Sequence, residues 1–410
     1  MRILLTANAS YAPPRGGATR SNLVWLQHLA AAGHACRIVA GALPDNAAKY
    51  AQIAQEGANR ETLAARGIEL FEIAERARQA SALRSHIREF RPDWVLVSSE
   101  DLGHALLREA YTSAPGRVVY LAHTPQFFPF GPASWNPDPA AAELAARAAA
   151  IVVIGRHMAD YIRQHTGREA VVIHPPIYGA GPFPNLASFD QGLITMVNPC
   201  AVKGIAIFLA LAEHFPSYGF GALPGWGTTA ADRGALAAHP NIGILPNCRH
   251  IAAVLARTRI LLMPSLWYEG FGLTAMEAML HGVPSITSDS GGLAEAKMGT
   301  PFVLPVPAIE RYAAEYDEHS LPRPEIAPFD VHPWEEALGS LLTDRALFAQ
   351  ASTASRQAAL RFVGGLNPAC MAEFLSSLQA GDAKRERPSL AHLSPEKRTL
   401  LLRMARGRKN

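Results

Sequence analysis

An α/β architecture of two doubly wound domains is what this sequence predicts, and three observations carry it. Short runs rich in Val, Ile and Leu alternate with longer helical patterns. Those runs are apolar throughout rather than alternating, as strands buried on both faces of a parallel sheet are. The same rhythm restarts after a Pro/Gly-rich stretch at residues 175–185. In such folds ligands bind in the crevice outside the C-terminal ends of the strands.

The elements follow in order. Arg2–Thr6 is a first strand, Gly16–Gly17 opens a helix, and Leu23, Leu26, Leu29 and Ala30 share one face of it. Gly33 stops that helix, and Cys36–Ala40 is the next strand, which completes a βαβ unit. Further strands are expected at Trp94–Ser98, Arg117–Ala122, Ala150–Ile154 and Val171–His174. In the second half they are Leu193–Asn198, Phe220–Leu223, Ile242–Leu245, Ile260–Pro264 and Pro284–Ser288. Two segments break the rhythm. Pro305–Pro333 holds six prolines and reads as a long surface excursion. Beyond Gln379 a polar linker leads to Ser394–Ala405, a short amphipathic helix with Leu400, Leu401 and Met404 at helical spacing.

Composition narrows the class. With 49% hydrophobic and 18% charged residues, the 410-residue chain is globular rather than disordered or fibrous. No run approaches the ~18 apolar residues of a membrane span. The opening turns polar after five residues, too soon for a secretory signal. Cys36, Cys200, Cys248 and Cys370 are scattered, which suits a reducing cytosol and no zinc site. A cytoplasmic protein is therefore expected. Residues 380–410 carry nine Lys/Arg against three acids, while the rest of the chain is slightly acidic. Such a tail is open to a membrane surface, nucleic acid or an acidic partner, or is simply a solvated terminal helix.

The richest stretch chemically is Pro264–Pro284. A strand end is followed by a glycine-bearing loop and a helix from about Leu273 to His281, stopped by Gly282. Free N–H groups at such a helix start favour an anion, typically phosphate. Gly270 and Gly272 allow close approach to the backbone. Glu269 precedes the helix and Glu277 lies within it, eight residues on. One carboxylate can face a sugar at the helix mouth and the other a ribose diol. The alternative for Glu277 is a capping box with Thr274; for Glu269 it is a solvated loop acid.

Four other constellations follow strand ends. Tyr11–Gly17 joins a strand to a helix through a Gly-Gly turn, a second phosphate-friendly mouth or merely a turn. His123 can donate to a sugar hydroxyl, or is a satisfied loop histidine; Phe127, Phe128 and Phe130 after it line an acceptor mouth or pack a loop. Lys203 is placed to reach a diphosphate, or is solvated. Gly225-Trp226-Gly227 borders a base, or is a tight turn.

These residues together resemble the GT-B glycosyltransferases of family GT4, which carry a Glu-x7-Glu motif where Glu269 and Glu277 stand. The following strand and glycine turn, Val283–Glu295, match as well, and the likeness spans roughly residues 1–380. The resemblance implies a GT-B fold: two Rossmann-like domains facing each other across a cleft. Residues 1–180 would form the acceptor-side domain, completed by a C-terminal helix at about 366–379. Residues 186–362 would bind the nucleotide sugar, and the domains would close about 175–185 and 364–368. It gives Glu269 the donor sugar's hydroxyls and Glu277 the ribose. Donor contacts fall to Gly16, Gly17, Lys203, Gly270, Phe271, Gly272, Leu273 and Thr274. His123, Lys203 and Glu269 would serve the reaction, and Arg15 and Arg20 would face the acceptor. The family commonly pairs the lysine with an arginine five residues earlier; here that position is Asn198.

The implied chemistry is retaining transfer, without a bound metal or other cofactor, from a nucleoside-diphosphate sugar, UDP favoured over GDP. The acceptor would be a natural product, a lipid-linked molecule or a glycan, with no nucleic-acid partner. The basic tail would dock to a membrane or to a synthase. The alternatives are an epimerase or phosphorylase on the same fold, or a sugar-nucleotide-binding protein without turnover.

Overall fold

The apolar runs become two parallel sheets in the computed structural model, which describes residues 1–14, 16–43, 59–248 and 250–379. The first sheet holds β1 (Arg2–Ala7), β2 (Ala35–Gly41), β3 (Ile68–Ile73), β4 (Trp94–Ser98), β5 (Val118–Ala122), β6 (Ala150–Val153) and β7 (Val171–Val172). Its order is β3-β2-β1-β4-β5-β6-β7, parallel throughout. Around it pack α1 (Gly17–Ala31), α2 (Arg60–Ala65), α3 (Gln79–Phe90), α4 (Ala105–Ser113), α5 (Pro139–Ala146) and α6 (Arg156–Thr166). All five residues of β4 and of β5 are buried, which is why neither alternates in sequence.

The second sheet holds β8 (Leu193–Val197), β9 (Phe220–Leu223), β10 (Ile242–Ile244), β11 (Thr258–Met263), β12 (Ser285–Ser288) and β13 (Val303–Leu304). Its order is β10-β9-β8-β11-β12-β13, again parallel. Its helices are α7 (Ile205–His214), α8 (Ala230–Ala237), α9 (Ile251–Leu255), α10 (Leu273–Leu280), α11 (Leu293–Ala296), α12 (His332–Thr343) and α13 (Arg345–Gly364). The chain then returns to the first sheet as α14 (Cys370–Ser377). Met371 and Leu375 are buried there in the cluster that contains Ile3, Leu5 and Trp94. The Trp94 indole N–H donates to the Leu375 carbonyl at 3.0 Å.

Two places depart from the sequence reading. β3 is a strand that no continuous apolar run announced. It is the edge of the sheet, and Glu69 and Glu72 interrupt its hydrophobic residues. The excursion at 305–333 contains an antiparallel hairpin, β14 (Arg311–Tyr316) and β15 (Pro322–Glu325). Two prolines are tolerated in β15 because a two-stranded ribbon has only edges. The expected tail helix at 394–405 lies outside the described residues.

The two halves share an apolar seam. Phe271, Met276 and Met279 of the second half join the core cluster of the first sheet. Phe271 stacks on Phe362 and meets His174, at ring separations of 5.6 and 5.3 Å. The connection at 175–185 is tied down on the same side, since Arg356 donates to the Phe183 carbonyl at 2.6 Å and Leu186 N–H to that of His281 at 2.8 Å.

Candidate functional site

Strand order reverses between β1 and β4 in the first sheet and between β8 and β11 in the second. Those reversals are where doubly wound folds leave a crevice. The loops leaving these four strands carry Gly16–Gly17, Glu100, Asn198–Lys203 and Pro264–Gly272. Two helix starts meet there. α1 begins after Gly16 and α10 after Gly272, and neither has a side-chain cap. A Cβ on Gly17 would lie 3.0 Å from the Leu273 side chain, so the two N-termini abut across the seam. Uncapped first-turn amides and two helix dipoles converge on one place, which suits an anion.

A charged pair flanks these helix starts on each side. Lys203 Nζ lies 2.5 Å from Glu269 Oε1, and the Ser265 hydroxyl donates to the same oxygen at 2.7 Å. Both charged side chains are largely buried, at 15% and 14% exposed. The ammonium also faces the rings of Trp267 and Trp226 at 5.5 and 5.8 Å. On the other side Arg20 Nη2 approaches Glu277 Oε1 at 3.8 Å. Burial raises the Glu277 pKa and Arg20 opposes that rise. Arg20, expected to face an acceptor, thus pairs with the residue expected to bind ribose. Arg15 lies outside the described residues.

The loop bearing Glu269 is gripped by the turn after β12. Gly292 N–H donates to the Glu269 carbonyl at 2.7 Å, and the Ser290 hydroxyl to that of Trp267 at 2.9 Å. Gly291 has φ +62°, and a Cβ there would lie 2.3 Å from the Glu269 carbonyl oxygen. Only glycine fits that contact. Gly270 presses on the first half, where a Cβ would meet the His123 carbonyl at 2.6 Å. The capping box offered for Thr274 and Glu277 does not form, because the helix begins at Leu273 with Gly272 as its N-cap. Phe271 turns its side chain into the seam rather than toward the helix mouths.

Asn198 has a different task from an arginine. It adopts φ +57°, and its Oδ1 accepts from Gly227 N–H at 2.9 Å. It thereby holds the Gly225–Gly227 turn that presents Trp226 beside Lys203. A Cβ on Gly225 would come within 2.5 Å of that same oxygen.

His123 is 2% exposed, and its Nε2 lies 2.7 Å from Asn22 Oδ1. Burial lowers its pKa to about 3, so the ring is neutral. Phe128 and Phe130 pack the core under β5, which resolves them as loop packing. Phe127 meets Trp135 edge-on at 5.5 Å. Trp135 in turn touches Trp267 and Tyr312, so the hairpin at 311–325 closes an aromatic wall beside Lys203. Sequence reasoning missed Trp135 and Tyr312, which no local motif marks.

Among the described residues no group of three His, Cys, Asp or Glu side chains is disposed to hold a metal. None of their helices is long and apolar enough to cross a membrane.

Comparison with known proteins adds two family matches. Residues 15–178 match the model described as Glycosyltransferase Family 4, and residues 222–317 match Glycosyl transferases group 1. No curated protein sequence matches the chain. Among solved structures, Anabaena HepE in complex with UDP-glucose is similar at a TM-score of 0.65 and 15% identity, covering 92% of this chain and 100% of that one. Sucrose-phosphate synthase from Thermosynechococcus elongatus is similar at 0.63 and 16% identity, over 92% and 97%. A glycosyltransferase from Rickettsia africae is similar at 0.62 and 12% identity, over 92% and 97%. At these identities the structural likeness bears on the fold alone, which is GT-B.

Proposed function

We propose, for a chain that belongs to the GT4-type glycosyltransferases of GT-B fold, that it moves a hexosyl group from a UDP-sugar to an acceptor hydroxyl with retention at the anomeric carbon. One observation carries the reading. Two uncapped helix N-termini from opposite domains abut between the Lys203–Glu269 and Arg20–Glu277 pairs. That places an anion-favouring pair of helix starts between two carboxylates, one for each end of a nucleotide sugar.

In this arrangement the diphosphate lies at Gly16–Gly17 and Gly272–Thr274, and Lys203 neutralises the charge that grows on it as the bond from C1 breaks. Preorganised positive charge of this kind supports the leaving group without a metal ion. Glu269 accepts hydrogen bonds from sugar hydroxyls, and Glu277 from the ribose diol. The acceptor oxygen bonds to C1 on the face the diphosphate leaves, and its proton passes to the departing phosphate oxygen. The UDP-glucose in the similar HepE structure supports UDP over GDP. A natural-product, lipid-linked or glycan acceptor remains the proposal for the second substrate, with the tail at 380–410 as its means of docking to a membrane or a synthase.

The test is thermal stabilisation and nucleotide release across UDP- and GDP-sugars, on wild type and Glu277→Ala. A UDP-sugar should stabilise wild type and lose most of that effect in the variant. Stabilisation by no sugar nucleotide, or equal stabilisation of both proteins, would overturn the assignment. EDTA should leave turnover unchanged, and the product's anomeric coupling in NMR reads retention directly.

A further inference from the structure

Behind the mouth of the first sheet runs a chain of polar side chains, half-buried at Glu100 and buried beyond it, that the donor contacts leave unused. The Ser98 hydroxyl donates to Glu100 Oε2 at 2.8 Å. Asn22 Nδ2 donates to Ser98 Oγ at 3.1 Å and to Tyr11 Oη at 2.9 Å. Asn22 Oδ1 faces His123 Nε2 at 2.7 Å. Tyr11, Asn22, Ser98 and His123 are each at most 2% exposed. Trp25 stacks on the imidazole at 5.8 Å, and His123 Nδ1 is buried with no protein partner. Glu100 follows β4 at the reversal point of the first sheet, where such folds place ligands.

Each group in this chain has a fixed supply of hydrogens and lone pairs. An ionised Glu100 can only accept, so Ser98 gives it its one hydrogen. Ser98 must then accept from the Asn22 NH2, which turns Asn22 Oδ1 toward His123. The ring nitrogen facing that oxygen, Nε2, carries the proton, and Nδ1 keeps a bare lone pair. Protonation gives Glu100 a hydrogen to donate and so allows each step to reverse. Its O–H donates to Ser98, and Ser98 donates to the Oδ1 of a turned Asn22. The Asn22 amide then donates to Nε2, and the ring proton moves to Nδ1. Tyr11 accommodates both states, accepting from the Asn22 NH2 in one and donating to its oxygen in the other.

We propose that Glu100 is a positioning residue that sets the tautomer of His123 through Ser98 and Asn22. With Glu100 ionised, His123 Nδ1 accepts a hydrogen bond from a sugar hydroxyl; with Glu100 protonated, it donates one to an oxygen. The sugar-facing half rests on the proposed donor site, whereas the tautomer half does not.

Burial lifts the Glu100 pKa to about 7, which puts the switch near neutral pH. The imidazole stays neutral on both sides of it. The other titratable groups around Glu100 come from three elements. Tyr11 precedes α1 and Tyr120 lies in β5, and burial pushes both phenols upward, out of the range. Asp101 follows Glu100 and is held by Asn8 Nδ2 at 2.9 Å and Leu107 N–H at 2.9 Å. His104 beside it engages the Asn136 carbonyl at 2.9 Å.

Long-range ¹H–¹⁵N spectra of the full chain labelled at histidine separate a protonated from a bare ring nitrogen, and His123→Gln assigns the signal. Wild type should show protonated Nε2 at pH 8.5 and protonated Nδ1 at pH 5.5, with a midpoint about pH 7. Glu100→Gln and Ser98→Ala should each fix one tautomer across that range. A wild-type tautomer that does not change with pH overturns the proposal, as does a change that survives in either folded variant. Failure to bind a sugar nucleotide would count against the donor site and leave this result standing.

Discussion

The two halves of this molecule put similar strand ends to unlike use. At the mouth of the second sheet the working groups are charged and largely buried: Lys203 meets Glu269 at 2.5 Å under two tryptophans. At the mouth of the first sheet they are neutral and closed: His123, Asn22, Ser98 and Tyr11 form a hydrogen-bonded chain with almost no exposure. A charge beside a diphosphate supplies electrostatic stabilisation, while a buried neutral chain supplies direction, because a misdirected donor there would leave a group unpaired. In the proposed reaction the second half would therefore set the rate through charge, and the first half would set geometry.

Breaking the charged end should have the largest effect. Lys203→Met should lower kcat/KM for transfer by about 10²–10³-fold, the usual loss when one preorganised charge-stabilising group is removed. Lys203→Arg should recover part of it. Steady-state rates at saturating acceptor check this, and a loss below about fivefold would remove Lys203 from the leaving-group role.

A smaller effect is expected where glycine supports that charged end without touching ligand. Gly291→Ala forces a Cβ into the Glu269 carbonyl from a left-handed backbone. Strain and displacement of this sort cost about 1–3 kcal/mol. The melting temperature should fall, and activity at a permissive temperature should fall as well, because Glu269 moves relative to Lys203. A variant that melts lower yet turns over normally would show the glycine turn to be structural only.

Much of this was legible in the sequence, for a physical reason. The strands ending at Ser98 and Met263 are buried on both faces, so their apolar runs announce them. The Glu269-to-Glu277 spacing marks a strand–loop–helix mouth because both acids belong to one local unit. What stayed hidden depends on residues far apart in the chain. Arg20 and Glu277 meet only when two domains do. Tyr312 reaches Trp135 only because a proline-rich segment folds into a hairpin. Glu100 is one acid in a loop until Ser98 and Asn22 connect it to His123. Asn198 looked like a weakened phosphate contact, and its side-chain oxygen also holds a turn.

The last effect sharpens the neutral end, and it is read in stability alone rather than in turnover. Glu100 has a folded pKa of about 7 against an ordinary 4.5. The folded protein therefore binds its proton more tightly than the unfolded chain does, and stability from this group is full below pH 4.5 and is lost as pH rises toward 7. His123 slopes the other way. Its folded pKa is lowered from 6.5 to about 3, so folding favours the neutral ring and stability falls as pH drops below 6.5. The two slopes overlap in wild type and obscure each other. Glu100→Gln removes only the first, and subtracting the two proteins' curves cancels the second. The variant's advantage in Tm over wild type should grow between pH 4.5 and 7 and then level off. Each kcal/mol removed is worth roughly 2 °C in a chain of this size. A difference curve that is flat, or that rises only below pH 4.5, would mean that Glu100 is solvated in the folded protein and that the neutral end is not sealed.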